Sequence, residues 1–457
     1  MKQMWLYISN QDVETERQQC AEEGRDLASV QAEFEGVLGL DLENPDNQPA
    51  AQALLDRTIG LPSRPDYRFH EPSDLAGIRA ARPTDRHALP SLTLSSDRLE
   101  DKVYGAWAGR CVGCLLGKPV EGWRRDRMWG YLKRLDRWPL NDYFRWDVMP
   151  QEMRDEYHPK GSGVPVYADQ VDFMPEDDDT NYTTTGLAIL KQYGRDFTPE
   201  DVAKFWMDNI PILHTCTAER VAYRNLCLLI PPPASASHRN PYREWSGAQI
   251  RADFFGYAAP GNPELAAEFA WRDASISHVK NGIYGEMWSA AMIASAFVTD
   301  DIGAILNAGL GQIPANCRFA DAVRRVIEWR GSGLDYDRAV EKLHEEWDET
   351  RAHDWCHTIS NAMVVSIALL WGENDYGKTI CRAVQACFDT DCNGATAGSV
   401  MGAILGRKAL PSIWIDHIHD TLKTGVAGYH EVKLAQITQD TMEVIAAVGG
   451  RGVRGEE

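Results

Sequence analysis

Two series of glycines spaced by four residues constrain the fold of this chain more than any other feature. Their members are Gly105, Gly109, Gly113 and Gly117 in the first series, and Gly394, Gly398, Gly402 and Gly406 in the second. A spacing of four places the members of a series near one face of a helix. Each interior glycine costs a helix about 1 kcal/mol relative to alanine, so each series indicates close approach of another backbone. We expect two buried helices at the centre of the fold, with each other as candidate partners. Ligand contact by individual glycines is the less favoured alternative.

Helical periodicity extends over most of the chain after Leu99. The segments with this pattern are 99–116, 183–194, 199–208, 264–273, 285–299, 318–328, 336–349, 359–371, 376–386 and 394–406. No series of alternating apolar and polar residues indicates strands, so we predict an all-α fold class with a compact multi-helix domain. A chain of 457 residues is long enough to bury a large core.

The first 95 residues differ from the rest of the chain. Residues 13–39 have helical periodicity and many charges, whereas residues 70–101 mix proline, serine and charge as a linker does. We therefore predict an N-terminal helical extension and linker over residues 1–95, followed by a catalytic domain over residues 96–457. Within that domain, a proline-rich segment at 229–245 is expected to be a long loop that helps to build a site.

The charge and the termini exclude several function classes. A net charge of −20 and a pI near 5.1 argue against general affinity for nucleic acid or for anionic membranes. The first twenty residues contain no apolar signal region, and no run of 18 uncharged apolar residues occurs, so we expect no membrane segment. The ten cysteines have no zinc-finger spacing and fit reduced thiols in a cytoplasmic protein.

Two acidic clusters each precede a predicted helix. The first contains Asp177, Asp178 and Asp179, and the second contains Asp389 and Asp391. A single Asp is enough to cap a helix, whereas three adjacent carboxylates cannot all be buried in ionised form without a cation. Carboxylate oxygens without histidine partners suit Mg²⁺, Mn²⁺ or Ca²⁺. Two independent helix caps and one shared site for two divalent ions are equal alternatives on these grounds.

Three motifs in this chain resemble the hallmark motifs of the ADP-ribosylglycohydrolase family. They are "GRCVGCLLGKPVEG" (109–122), "DDDTNYT" (177–183) and "DTDCNGATAG" (389–398). The match runs from about residue 96 to near the C-terminus. The resemblance implies an all-α domain with two metal ions, Mg²⁺ in most members and Mn²⁺ in some. It further implies hydrolysis of the glycosidic bond at C1″ of ADP-ribose, with an ADP-ribosylated protein (arginine-type) or a small-molecule glycoside as substrate.

The resemblance also assigns metal ligands. The residues that match the ligating acids of the family are Asp178, Asp179, Asp389 and Asp391. Asp177 stands where the family usually has a Thr or Ser hydroxyl, and it is a fifth candidate ligand. Cys392 stands where another hydroxyl ligand is expected, and a thiol is a poor ligand for magnesium. Relative to the family, this chain has gained a carboxylate and lost a hydroxyl.

Residues 244–278 resemble the loop and helix that hold the ribose and phosphates in the family. Ser246 and Gly247 match the small positions beside the phosphates, and His278 matches a histidine that contacts the ligand. The alternative for His278 is a helix cap.

Further candidates lie near the three motifs. Glu121 matches a gating or substrate-facing glutamate, and His357 and Asn361 are candidate substrate contacts. The alternative for His357 and Asn361 is a polar helix start capped by a neighbouring hydroxyl. We expect the catalytic residues to be Asp389, as the first choice of base, together with Asp179 and Glu121.

Three other functions remain open on the sequence. The first is hydrolysis of another riboside or glycoside on the same two-metal scaffold. The others are a non-catalytic relative and a binding module for free ADP-ribose. Four matched acids argue against an inactive relative.

Overall fold

The computed structural model describes residues 2–86, 88–158 and 166–449. These residues form 23 α-helices, several 3₁₀ helices and one antiparallel pair of strands, which confirms the all-α prediction. The helices before residue 95 are α1 (Asn10–Glu22), α2 (Gln31–Leu38), α3 (Gln48–Thr58) and α4 (Leu75–Ala81).

The remaining elements follow residue 95. The helices are α5 (Ser96–Gly117), α6 (Arg125–Arg134), α7 (Gln151–Tyr157), α8 (Asp178–Tyr193), α9 (Pro199–Asn209), α10 (Thr217–Cys227), α11 (Ala234–Ser237), α12 (Asp253–Tyr257), α13 (Pro263–Ala274), α14 (Asn281–Ala296), α15 (Ile302–Leu310), α16 (Arg318–Gly331), α17 (Tyr336–Glu346), α18 (Ala352–Cys356), α19 (Thr358–Trp371), α20 (Tyr376–Gln385), α21 (Thr390–Leu405), α22 (Ser412–Ile415) and α23 (Leu434–Gly449). The strands are β1 (Thr421–Lys423) and β2 (Glu431–Lys433), and Leu422 is paired with Val432.

Helices α5 and α21 form the centre of the fold and pack against each other in antiparallel fashion. A β-carbon on Gly105 would lie 2.5 Å from the carbonyl oxygen of Gly402, and Gly109 and Gly113 meet Gly398 and Gly394 in the same way. No side chain fits between backbones this close, so the two glycine series are an interface between helices, as predicted.

The antiparallel packing of α5 and α21 determines which ends of the two helices meet. It brings the C-terminal end of α5 beside the first turn of α21, where the hydroxyl of Thr390 donates a 2.9 Å hydrogen bond to the carbonyl of Gly117. The residues that follow α5 therefore lie next to the second acidic cluster.

Helices α14 and α19 pack against α21 of the central pair. Helices α14, α19 and α21 are buried along almost their whole length, as expected of helices that are apolar on all sides. The main core also takes in Ile78 of α4. Within residues 2–86, 88–158 and 166–449, the helices lack the combination of length and apolar character that a membrane span requires.

Residues of the N-terminal extension have a small core of their own. Its members are Ile8, Val13, Val30, Phe34, Val37, Leu42, Ala51, Leu54, Leu55 and Leu61. The domain boundary near residue 95 stays a prediction.

The observed starts of the two helices that carry the acids differ from the sequence-based boundaries. Helices α8 and α21 begin at Asp178 and Thr390, several residues before the starts at 183 and 394 that periodicity predicted. The reason is that polar first turns carry no apolar periodicity. Asp178, Asp179 and Asp391 consequently lie inside the first turns. The strands were not predicted, because three-residue strands are too short for a pattern of alternation.

Candidate metal and substrate site

The two acidic clusters meet in space at the adjoining starts of α8 and α21. Carboxylate oxygens of Asp177, Asp179 and Asp391 and the Sγ atom of Cys114 all lie within 4.8 Å of one another. A second set, formed by Asp389, Asp391 and Cys392, is equally compact. Asp391 belongs to both sets, so the acids form one continuous group.

Asp177 acts both as a helix cap and as an ion-pair partner. Its Oδ1 accepts a 3.0 Å hydrogen bond from the backbone N–H of Asp179, which caps α8. Its Oδ2 lies 2.5 Å from Nζ of Lys118, just beyond the end of α5. Burial alone would raise the pKa of Asp177, but the charge of Lys118 and the hydrogen bonds that the carboxylate accepts together lower it.

Asp179 is fully buried and paired with a buried arginine. Its Oδ1 lies 2.8 Å from a guanidinium nitrogen of Arg110, which forms a second 2.8 Å ion pair with Asp253. The same guanidinium donates a hydrogen bond to the carbonyl of Ile250. Burial raises the pKa of Asp179 well above its usual value, although Arg110 opposes the shift. Arg110 thus fixes the position of the first cluster.

The ionised forms of Asp178 and Asp391 are also unfavourable in the metal-free site. Burial raises the pKa of Asp178 to about 8 and that of Asp391 to about 6, and the carboxylate of Asp177 adds to both shifts. Oδ1 of Asp391 is buried and has no hydrogen-bond partner within the part of the chain that the structure describes. Buried polar atoms are normally paired, so this orphaned oxygen and the mutual repulsion fit a bound divalent cation.

Asp389 occupies the N-cap position of α21, but its side chain makes no capping hydrogen bond. Instead, its Oδ2 accepts a 3.1 Å hydrogen bond from the hydroxyl of Ser246. Its backbone N–H donates to Oδ1 of Asn361 at 3.2 Å. Burial, with the charge of Asp391, raises the pKa of Asp389 well above its usual value. Two of the residues predicted to contact substrate therefore hold Asp389.

Glu121 follows the 3₁₀ helix Lys118–Val120 at the end of α5 and is exposed. The negative charge of Asp391 raises its pKa well above the usual value. Glu121 is thus an exposed carboxyl group close enough to Asp391 for the charge of Asp391 to act on it.

Gly247 packs closely against Glu219 of helix α10. A β-carbon at this position would collide with the carboxylate of Glu219, which pairs with Arg251 at 2.9 Å. Gly247 is therefore needed for the close packing of this loop on Glu219.

His278 lies in the wall of a cavity of about 520 Å³, together with Trp271 and Pro233. Its ring is buried, Nδ1 lies 2.9 Å from the hydroxyl of Ser277, and Nε2 has no hydrogen-bond partner. His357 is the N-cap of α19, and its Nε2 lies 3.7 Å from Glu22 of the extension. The substrate contacts expected of these two histidines stay predictions.

Sequence reasoning missed three residues of the site, namely Arg110, Cys114 and Lys118. Each directly follows a glycine of the first series, so all three share one face along the C-terminal half of α5 and the residue after it. The spacing of four that marks the glycines also marks these residues, and it was the available signal.

The donor set fits divalent cations. Five neighbouring carboxylates offer hard oxygen ligands, and Sγ of Cys114 lies 3.8 Å from Oδ2 of Asp179. Lys118 already neutralises part of this charge. A metal-binding role for the cluster agrees with the residues present.

Comparisons with known proteins complete this description. A family model described as ADP-ribosylglycohydrolase matches residues 95–448. A solved chain described as an "ADP-ribosylglycohydrolase-related protein complex" is 18% identical, with a TM-score of 0.42, covering 78% of this chain and 100% of that chain. That similarity is too low to support an argument about function. A search of curated proteins gave no match. Because the family model spans more than half of the chain, the chain belongs to the ADP-ribosylglycohydrolase family and is a glycohydrolase-type enzyme.

Proposed function

We propose that this enzyme is a metal-dependent hydrolase that cleaves the glycosidic bond at C1″ of ADP-ribose. The ADP-ribose would be attached to a protein side chain of arginine type or to a small molecule. One observation carries the proposal: two acidic clusters more than 200 residues apart form one buried group of carboxylates, with an orphaned oxygen on Asp391.

The acids are proposed to hold two divalent ions. The ligands would be Asp177, Asp178, Asp179, Asp389 and Asp391, with Mg²⁺ as the expected ion and Mn²⁺ as the alternative. Ions of this kind supply Lewis acidity and can lower the pKa of water. The family is typically dinuclear, and the buried acids of this chain support the same arrangement.

Asp389 is the proposed general base. Ser246 and Asn361 fix its orientation, and it would accept the proton of a water that attacks C1″. A glycosidic bond breaks through an oxocarbenium-like state, which the negative charge of Asp179 and Asp389 would stabilise. Glu121 holds its proton more tightly than a free carboxyl group, so it is suited to protonate a leaving group at the opening of the site.

A second candidate is hydrolysis of a riboside or other glycoside that lacks the diphosphate. Ser246 and Gly247, the positions expected beside the phosphates, are occupied by contacts with Asp389 and Glu219. His278 lines a cavity with Trp271. These contacts favour a smaller substrate over one that extends along residues 244–278.

The test is incubation of the full chain with ADP-ribosyl-arginine and, separately, with simple ribosides, in Mg²⁺, in Mn²⁺ and in chelator. Metal-dependent release of ADP-ribose supports the first candidate, and release of ribose from simple ribosides alone supports the second. Tight binding of ADP-ribose without turnover in either metal would identify a binding protein and contradict both. Asp391→Asn is the matched control, because it removes a ligand while keeping the size of the side chain.

A further inference from the structure

Helix α1 of the N-terminal extension inserts polar side chains into the domain that carries the acids. Gln19 donates a 2.7 Å hydrogen bond to the buried carboxylate of Glu244. Glu16 and Glu23 both pair with the buried guanidinium of Arg243, at 2.5 and 2.6 Å. These contacts fall on residues that directly precede Ser246, the residue that holds Asp389.

Glu22, at the end of α1, lies against two histidines. Its Oε2 is 3.2 Å from Nε2 of His353 and 3.7 Å from Nε2 of His357. Its other oxygen accepts a 2.9 Å hydrogen bond from the amide of Gln18. Both carboxylate oxygens of Glu22 therefore face donor groups.

The hydrogen bonds at Nδ1 of the two histidines determine which ring nitrogen carries the proton. Nδ1 of His353 accepts a 3.1 Å hydrogen bond from the indole N–H of Trp245. Nδ1 of His357 accepts one of 3.1 Å from the backbone N–H of Ile359. A nitrogen that accepts carries no proton, so each ring has its proton on Nε2. Nε2 of His353 donates to Glu22 at 3.2 Å. Nε2 of His357 lies 3.7 Å from Glu22 and 3.8 Å from Glu244, beyond hydrogen-bond distance of both carboxylates.

This arrangement argues against a metal ion between Glu22, His353 and His357, although their ligand atoms lie within 4.8 Å of one another. A histidine that binds metal through Nε2 carries its proton on Nδ1 and donates it to an acceptor. Here both Nδ1 atoms face N–H donors. The group is instead a carboxylate that accepts a hydrogen bond from His353 and lies beside the ring of His357.

One chain of contacts leads from Glu22 through His353 to Asp389. His353 is bonded to Trp245, and the next residue, Ser246, donates its hydroxyl to Oδ2 of Asp389 at 3.1 Å. The backbone of Ser246 is fixed at the same time, because its N–H donates to the carbonyl of Cys356 at 2.7 Å.

A second chain leads through His357. The carbonyl of His357 accepts a 2.9 Å hydrogen bond from the side-chain amide of Asn361. Oδ1 of Asn361 accepts from the backbone N–H of Asp389 at 3.2 Å and from Asn393 at 2.8 Å. Both chains end at Asp389. The first starts with a hydrogen bond between Glu22 and His353, and the second starts where the ring of His357 lies beside Glu22.

We propose that Glu22 is a positioning residue, through which the N-terminal extension fixes the orientation of Asp389. The proposal rests on the proposed function in one respect, namely that Asp389 is a metal ligand and base. It gives the extension, which lies outside the residues matched by the family model, a role in the reaction.

The decisive variant is Glu22→Gln in the full chain. The amide of glutamine has one oxygen, which can accept a hydrogen bond, and one NH₂ group, which cannot. In Glu22→Gln the NH₂ group must therefore face a donor, either Gln18 or His353, and one of these two hydrogen bonds is lost. Glu22→Asp keeps both acceptors on a shorter side chain and is the conservative variant. Glu14→Gln is the matched control on the same helix, since Glu14 is half exposed and pairs only with Arg17 among the described residues.

The first readout is Mn²⁺ affinity by calorimetry, which does not depend on knowing the substrate. Loss of an outer hydrogen-bond partner of a ligand costs roughly 10–100-fold in metal affinity or activity. We expect Glu22→Gln to weaken Mn²⁺ binding about tenfold, Glu22→Asp to restore part of the loss, and Glu14→Gln to match wild type. On a hydrolysed glycoside, kcat should fall in Glu22→Gln with little change in KM.

Mn²⁺ affinity of folded Glu22→Gln equal to wild type would overturn the proposal. If Glu22→Gln does not fold, Trp245→Phe decides, because it removes the N–H donor to His353 and keeps an aromatic ring at this position. Weaker Mn²⁺ binding supports the proposal and unchanged binding contradicts it. If the wild-type enzyme binds Mn²⁺ but hydrolyses no glycoside, only the proposed function is contradicted. The Mn²⁺ affinities of wild type and Glu22→Gln would still test the role of Glu22.

Discussion

Arg110 and Asp179 form an ion pair with a separation of 2.8 Å, and both side chains are fully buried. The pair joins the middle of α5 to the first turn of α8. It makes one acid of the site a structural partner as well as a candidate ligand. Asp391, by contrast, has a buried oxygen without any partner.

This contrast predicts opposite effects on the stability of the metal-free protein. Asp179→Asn leaves Arg110 with Asp253 as its one remaining acidic partner, and we expect it to lower the free energy of unfolding by about 3 kcal/mol. Asp391→Asn removes a repelled charge and should leave that free energy unchanged or raise it. Urea denaturation in chelator measures both, and calorimetry should show weakened metal binding in both variants. Equal destabilisation by the two substitutions would contradict the distinction.

We expect Lys118 to compete with divalent cations for Asp177. Its ammonium lies 2.5 Å from the carboxylate, so Lys118→Met should remove a positive charge from the site and strengthen metal binding. We expect a gain of about tenfold, or about 1.4 kcal/mol, measured by calorimetry with Mn²⁺ at pH 8. Lys204→Met, at an exposed position of α9, is the control and should not change the affinity. Weaker binding in Lys118→Met would mean that Lys118 assists the metal site.

The raised pKa values of Asp178 and Asp391, about 8 and about 6, predict a pH dependence of stability. The ordinary pKa of Asp is about 4, so between about pH 4 and pH 8 the folded, metal-free protein holds more protons than the unfolded chain. Its free energy of unfolding should therefore fall as the pH rises through this window. A bound cation stabilises the ionised acids, so the fall should be smaller in Mn²⁺.

Denaturation curves at several pH values, in chelator and in Mn²⁺, measure this effect. Asp391→Asn should reduce the slope in chelator between about pH 4 and pH 6, because it removes one of the titrating groups. A metal-free protein whose stability rises from pH 5 to pH 8 would show that the acids are not the dominant titrating groups.

The contact between α5 and α21 predicts which glycines tolerate a methyl group. In Gly398→Ala the new β-carbon would collide with the carbonyl of Gly109, and both atoms belong to rigid helices. We expect a loss of about 3 kcal/mol in the free energy of unfolding, together with weaker metal binding, since the same contact aligns the acids. Gly36→Ala in α2 is the control, because no atom lies within 4 Å of its β-carbon. Gly36→Ala should leave the free energy of unfolding unchanged or raise it by about 1 kcal/mol. Urea denaturation measures both variants.

The acids and the central helices could be predicted because their patterns are local. Gly109 and Gly398 belong to series with a spacing of four, and Asp178 and Asp391 belong to short motifs next to helix starts. The family match then confirmed the resemblance that these motifs suggested. Ser246 and Asn361 were singled out as substrate contacts, and the structure places both beside Asp389.

The sequence by itself determined the all-α class, the two glycine-rich helices and the two acidic clusters, because helical periodicity and adjacent like charges are properties of neighbouring residues. Only the tertiary structure decided that Lys118 pairs with Asp177, that Arg110 joins Asp179 to Asp253, and that Glu22 of the extension lies against His353 and His357. Each of these contacts joins residues far apart in the chain, and their pairing depends on how the helices pack, which no local pattern encodes.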